Sequence, residues 1–361
     1  MTVLLIFALL FFSSPSQVRS QDWKTEWERT ATAAKKERQV VLAAGSDFPA
    51  TFAEFQKKYP EIKVVFVPGR TGELANRIMA ERRAGKYLVD LYIIGATTMY
   101  NVLYKAKALD PIKPALILPE VVDESNWWRG KHVYLDEEDQ YIFAFNGAVR
   151  SWFAYNTKLV NPNEIRSYWD LLNPKWKGKI VGLDPTSSGA GSPLRFLYYH
   201  PELGPEFIRR LLTETDITVS RDMRQITDWL ATGKFAISVL TAVSRTGLDE
   251  AKKQGLPIDW FGPKTFKEGA VVNSASGNVG FLNRAPHPNA AKIALNWLLS
   301  RETQIAYQKI GSEADSLRID IPKDDVPSYA RRVEGVQYIV LDEKMDSKPI
   351  RKFVSEVWKK N

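Results

Sequence analysis

Gln39-Val-Val-Leu-Ala-Ala44, then Gly45-Ser46-Asp47, then a segment carrying Phe52, Phe55 and Tyr59 at helical spacing, reads as strand, turn and helix. Tyr59-Pro60-Glu61 stops that helix, because proline disfavours helical geometry in the residue before it. A second strand is expected over 62–67, then the loop Pro68-Gly69-Arg70-Thr71-Gly72, a helix over 73–84 and a third strand over 90–94. This repetition calls for a parallel sheet, since parallel neighbours cannot be joined by a tight turn and need a crossover, usually a helix. Upstream, Trp23, Trp27 and Ala31, four residues apart, predict an amphipathic helix over 23–38.

The same grammar returns later in the chain. Strands are expected over 179–183, 217–220 and 235–240, a Gly/Ser-rich loop over 184–192, and helices from 193 and over 223–232. The stretch 270–281 reads as extended and 288–299 as a helix with Ala291, Ile293, Ala294, Trp297 and Leu298 facing inward. With 361 residues, 44% of them hydrophobic, the chain exceeds one ordinary core, so an α/β fold in two lobes is expected. Neither a long Pro/Gly linker nor a short-period repeat occurs, so strands must join the lobes.

The run 3–12 is almost wholly apolar and is followed by polar 13–20, the length of a signal-peptide core. Val18 and Ser20 fit the small residues a signal peptidase requires, so cleavage before Gln21 and export to the periplasm are expected. No cysteine occurs, which excludes disulfides, thiolate chemistry and a lipid-anchor cysteine, so the exported chain is expected to be soluble. The net charge is +8, yet Lys and Arg alternate with Asp and Glu along the helices instead of forming tracts. A nucleic-acid partner is therefore not expected. Nor does any nucleophile, phosphate-loop, dinucleotide or zinc-protease motif appear, so neither an enzyme activity nor a cofactor is expected.

Phe55-Gln-Lys-Lys-Tyr59-Pro60, Arg70-Thr-Gly72-Glu-Leu74 and Ala84-Gly85-Lys86 form an ordered set of segments. Phe153-Ala-Tyr155-Asn156, Ser167-Tyr168-Trp-Asp170 and Asn173-Pro174-Lys175-Trp176-Lys177-Gly178 follow. Ala285-Pro286-His287-Pro288-Asn289-Ala290 and Trp297-Leu-Leu-Ser300 complete it. Together, in this order along the chain, they resemble the iron-type branch of bacterial extracellular solute-binding proteins of ABC importers. The resemblance implies a class II periplasmic-binding-protein fold with hinge strands between lobes. It divides the chain into a signal peptide over 1–20, a first lobe over 21–145 plus 274–361, and a second over 148–269. It further implies capture of a small solute between the lobes and, for a monomeric receptor, delivery to a membrane permease.

Loops after strands of open α/β sheets line the ligand crevice, which nominates three of them. Gly45, Ser46 and Asp47 follow the first strand, Thr97 and Thr98 the third, and Ser187, Ser188, Gly189, Ala190 and Gly191 the first strand of the second lobe. Glycines there let the backbone approach a ligand, and N–H groups at helix starts attract negative charge; the same residues also serve as ordinary N-caps. Arg70, Arg221 and Arg245 sit near strand ends, where each either forks onto an anion or stays a surface charge. Thr241 follows the strand over 235–240, and Tyr155 either stacks on a ligand or packs in the core.

Iron-binding members of the resembled family place a tyrosine pair just after the strand that here is 235–240, with a His and a carboxylate from the first lobe. Here Thr241-Ala242-Val243-Ser244 stands there, and the adjacent pair Tyr198-Tyr199 lies on an earlier helix. His132, His200 and His287 are dispersed, so no metal ligand set is expected. The favoured solute is a small anion, an organic phosphate, phosphonate or carboxylate. A ferric-iron receptor and a ligand sensor for a membrane signalling protein are the alternatives.

Overall fold

The computed structural model describes residues 15–46, 48–241, 250–310 and 314–358. Helix α1 (Pro15–Glu37) leads into β1 (Gln39–Ala44), α2 (Phe48–Lys58), β2 (Lys63–Phe66), α3 (Thr71–Arg83) and β3 (Leu91–Ile93). Short strands β4 (Leu109–Asp110), β5 (Val133–Tyr134) and β6 (Phe143–Ala144) follow. The chain then passes through β7 (Ala148–Arg150) to β8 (Ala154–Asn156), β9 (Ile180–Leu183), α4 (Gly191–Tyr199) and α5 (Gly204–Glu214). Next come β10 (Thr218–Ser220), α6 (Met223–Ala231), β11 (Ile237–Val239) and β12 (Ile258–Trp260). It returns through β13 (Ala270–Asn273) and β14 (Asn278–Leu282) to α7 (Pro288–Leu299), α8 (Arg301–Ile310), β15 (Tyr338–Val340) and α9 (Ser347–Val357). Among the described residues no helix is long and apolar enough to cross a membrane.

Three sheets result. The largest runs β2-β1-β3-β14-β6-β5, with β4 also on β14. Its β2, β1 and β3 are parallel, as the repeated strand–helix pattern requires, while β14 enters antiparallel between β3 and β6. The second runs β10-β9-β11-β8-β12, with β10, β9 and β11 parallel. The third, β15-β13-β7, holds the two segments by which the chain leaves the first sheet and comes back, β7 and β13, paired antiparallel.

Two separate cores lie on these sheets. In one, Val40, Leu42, Phe52, Ile93, Phe143, Leu295 and Leu298 are buried together, and Phe52 meets Trp297 at 5.2 Å between ring centroids. In the other, Phe153, Tyr168, Phe196, Phe207 and Ile237 are buried, with Tyr168 stacked on Phe266 at 3.8 Å. Burying each such side chain contributes about 1.5–3 kcal/mol.

Two features differ from the sequence reading. The stretch 270–281 is not one extended run. Gly277 N–H donates to Ser274 O, closing a turn that moves the chain from the hinge sheet (β13) to the large sheet (β14). Helix α9, expected with the first lobe, packs instead on α4 and α5, where Ile350 and Val354 join the second core. Its strip of Ile350, Phe353, Val354 and Val357 finds its apolar partner there, a choice that its own sequence does not encode. The apolar run 3–12 lies outside the described residues, and α1 begins at Pro15, upstream of the expected start at Trp23.

The crossing point is a buried polar knot. Asp315 accepts ion pairs from Lys323 and Arg332, each at 3.0 Å, and its backbone N–H donates to Asn146 Oδ1 at 2.7 Å. Asn146 Nδ2 in turn donates to Ser274 O at 3.2 Å, tying the outgoing crossing to the returning one. Burial pulls the Lys323 ammonium down to about 8. Glycine is required where the strands converge: a Cβ on Gly277 would fall inside contact distance of Asn146 Cβ, with backbone of Asn146 and Ser274 at 3.2 Å on either side. Gly277→Ala should therefore lower unfolding stability by about 1–3 kcal/mol through overpacking. Urea denaturation of the purified variant and wild type checks this; an unchanged midpoint would show that the crossing yields freely.

Candidate functional site

In the first lobe the loops after β1 and β3 and the turn before β14 are drawn into one cluster. Gly45 N–H donates to Ile93 O at 3.0 Å, holding the β1 loop against the end of β3. Asn278, at the head of β14 and 0% exposed, sends its Nδ2 to Ile94 O at 3.3 Å and Ala275 O at 2.9 Å. Ala275 adopts the left-handed region (φ 48°), uncommon for a residue with a Cβ, and its N–H donates to Asn273 Oδ1. Thr97 lies exposed and Thr98 half-buried in the short helix Ala96–Thr98, and Ser46 is exposed in the β1 turn.

The second lobe gathers a matching set. Asp184 N–H donates to Ser220 O at 2.9 Å, joining the ends of β9 and β10. The buried Asp184 carboxylate accepts from Thr186 N–H, Thr186 Oγ1 and Arg221 Nε at 2.9, 2.6 and 2.9 Å. Burial alone would raise its pKa, but these hydrogen bonds outweigh burial and hold it below the usual value. Arg221 also donates from Nη2 to Thr186 Oγ1 at 3.2 Å, yet its side chain is 73% exposed. Asp184 thus aims the guanidinium while leaving much of it facing solvent. Ser188–Ala190 forms a 3₁₀ turn running directly into α4, and Ser187 Oγ, itself buried, has no hydrogen-bond partner among the described residues.

Thr241 is 0% exposed at the end of β11, where its N–H donates to Trp152 O and its hydroxyl lies 3.4 Å from Ser238 Oγ. The preceding Leu240 is left-handed (φ 57°), a conformation that costs a branched residue on the order of 1–3 kcal/mol. Strain at Leu240 and Ala275 marks strand ends in both lobes.

The nominated residues do not all join these clusters. Tyr155 is 7% exposed and packs on Phe261 at 4.7 Å within the second core, so packing governs its place. Its neighbour Asn156 binds Leu230 O and Lys158 N–H inside the same lobe and does not bridge lobes. Arg70 caps α3 through its backbone N–H to Glu73 and lies exposed beyond edge strand β2. Asp47 and Arg245 lie outside the described residues, as do Ala242, Val243 and Ser244.

The histidines are engaged one by one. His132 Nε2 lies 2.9 Å from Val121 O, His200 bonds Glu268 O and Glu202 N–H, and His287 sits between Asp90 and Gln39. Tyr198 packs on Phe353 of α9 and Tyr199 donates its hydroxyl to Asp346 O, so this pair seats a helix. Among the described residues no group of three or more His, Cys, Asp and Glu is arranged to hold a metal ion.

Residues that sequence reasoning missed connect the two clusters. Glu343, in the segment between β15 and α9, accepts from Thr97 Oγ1 at 2.7 Å and from Arg195 Nη1 on α4 at 3.2 Å. Thr97 belongs to the β3 loop of the first lobe and Arg195 to the helix that follows the Ser/Gly loop of the second. One carboxylate therefore links the turn that follows β3 to the helix that follows the Ser/Gly loop. The turn Ser274-Ala-Ser-Gly277 had a legible signal in its composition; Glu343 and Arg195 had none.

A family model described as bacterial extracellular solute-binding protein matches residues 40–305. Solved structures share the fold at low identity. Ferric iron-binding protein A of Mannheimia haemolytica, in an open conformation, superposes with a TM-score of 0.66 at 16% identity, over 89% of this chain and 98% of that one. The Trichodesmium protein IdiA (FutA), in complex with iron and citrate, gives 0.64 at 19% identity, over 89% and 100%. Iron-bound HitA of Pseudomonas aeruginosa gives 0.58 at 18%, over 89% and 99%. Those structures carry the two-lobed periplasmic-binding fold, and the two sheets and the paired crossings are that fold in this molecule. The chain belongs to the bacterial extracellular solute-binding proteins.

Proposed function

We propose that the protein captures a small anionic solute, an organic phosphate, phosphonate or carboxylate, in the cleft between its lobes and delivers it from the periplasm to the permease of an ABC importer. Binding proteins of this family hold a solute and do not transform it. The observation that carries the reading is Arg221: a cation fixed through Nε on a buried carboxylate, with most of its side chain exposed beside Thr186. In this reading hydroxyls and backbone N–H groups of the β3 loop line the opposite side of the cleft. An anion entering there replaces its water shell with donors already in position, and closure strengthens each bond by excluding water.

The lobe division at 145–148 and 269–274 belongs to this proposal, with the correction that 341–357 moves with the second lobe. Residues 1–20 act as the export signal. One specific observation supports a second reading: the similar structures named above are described as binding iron, one of them together with citrate. Under that reading the cargo is ferric iron carried by a carboxylate chelator, which presents oxygen anions to the same donors.

A thermal-shift screen of the ligand-stripped mature chain tests both. At a hundred times its dissociation constant a ligand adds about 2.7 kcal/mol, a shift of several degrees. Stabilisation by a phosphate, phosphonate or carboxylate without metal is expected. Stabilisation only when ferric iron accompanies citrate would replace the first reading by the second, and stabilisation by free ferric iron alone would contradict the anion cleft.

Arg221→Gln should weaken the stabilising solute by about 1.5–3 kcal/mol, roughly ten- to a hundredfold in Kd, the value of a charge-assisted hydrogen bond. Because Thr186 still holds the buried Asp184 carboxylate, the loss of Arg221 Nε should lower unfolding stability by no more than about 1–3 kcal/mol. Calorimetric titration checks the affinity; an unchanged Kd would remove Arg221 from the site.

A further inference from the structure

Between β15 and α9 the chain runs over 341–346 beside the cleft. It is fixed at one end to the hinge sheet, where Leu341 N–H donates to Val272 O at 2.9 Å. At the other end it is fixed to the second lobe. Tyr199 donates its hydroxyl to Asp346 O at 2.9 Å, and α9 is seated by Ile350 and Val354 in the second core and by Phe353 against Tyr198. Toward the first lobe its contacts are polar. Glu343 Oε1 accepts from Thr97 Oγ1 at 2.7 Å, and Lys344 Nζ pairs with Asp139 at 2.7 Å. Glu343 Oε2 meanwhile takes Arg195 at 3.2 Å, and these two side chains are only 8% and 14% exposed.

We propose that 341–346 is a latch that moves with the second lobe and closes the cleft without solute, Glu343 serving as an internal anion between Thr97 and Arg195. A single carboxylate taking a hydroxyl from one lobe and a guanidinium from the other is bound as a captured solute would be. Lobe opening breaks the contacts to Thr97 and Asp139 and leaves those to Arg195 and Tyr199 intact. A contact present only in the closed form biases the empty protein toward closure by the free energy of that contact. The latch therefore sets how often the empty cleft opens to admit solute. Lys344–Asp139 is an exposed pair and contributes less than the enclosed Glu343. The inference needs the two loop clusters to face one another, but not the identity of the solute.

Small-angle scattering of the ligand-stripped mature protein tests it directly. Glu343→Ala and Thr97→Val should each enlarge the radius of gyration relative to wild type. The double variant should be no larger than Glu343→Ala alone, because both remove one shared contact. Thr97→Val deletes a single exposed hydroxyl and keeps the question open to measurement if Glu343→Ala fails to fold. Cooperatively melting variants with the wild-type radius of gyration would overturn the latch. Since no solute is present, that failure leaves the anion reading standing, and a failed solute screen leaves the latch standing.

Discussion

The outgoing crossing from the first core and the crossing that returns to it are tied together at one buried junction, where Asp315 holds Lys323 and Arg332 and binds Asn146, which in turn binds Ser274. Removing one partner of such a buried cluster costs about 3–5 kcal/mol, because the remaining charge is left uncompensated. The junction is therefore stiff, while the strands that leave it, β7 and β13, are short and carry the lobes on either side. A rigid knot with two adjacent strands is the arrangement a hinge requires: the lobes can rotate about it without either core being disturbed.

From that junction the rest of the site follows by topology. β1 and β3 in one lobe and β9 and β10 in the other are parallel strands, and the loops after such strands are where open α/β sheets hold their ligands. The proposed anion rests on the chemistry of those loops. Hydroxyls, glycine-rich backbone and an arginine aimed by Asp184 offer donors, and the tyrosine pair that would offer phenolate instead holds α9. The same geometry makes Glu343 informative, since it already occupies donors from both walls.

Local pattern made the two α/β lobes legible. Strand β1 coincides residue for residue with the expected 39–44, and α7 with 288–299, because a compact apolar run and a helical stripe each report a local period. The break between β13 and β14 escaped that logic: apolar residues continue on both sides of Ser274-Ala-Ser-Gly277, so the turn shows in its small residues but not in the apolar period, and the change of sheet is not encoded locally. Tyr155 had the composition of a stacking platform, but the packing of Phe261 decides its place. Glu343 was beyond reach of any local reading, since Thr97 lies 246 positions away and Arg195 148. Similarly, the apolar strip of α9 announces a helix but not the lobe that will cover it.

The central claim is that the β3 loop and the Ser/Gly loop close on a solute from opposite sides. The chain has no native cysteine, so spin labels placed at Thr98→Cys and Ser188→Cys report one distance without interference. Pulsed electron–electron resonance on this doubly labelled protein, empty and then saturated with the solute found by thermal shift, is the direct measurement. The account predicts a shorter and narrower distance distribution with solute bound. The same distribution in both states, in the Glu343→Ala background as well as in wild type, would contradict closure of the two loops on a common ligand.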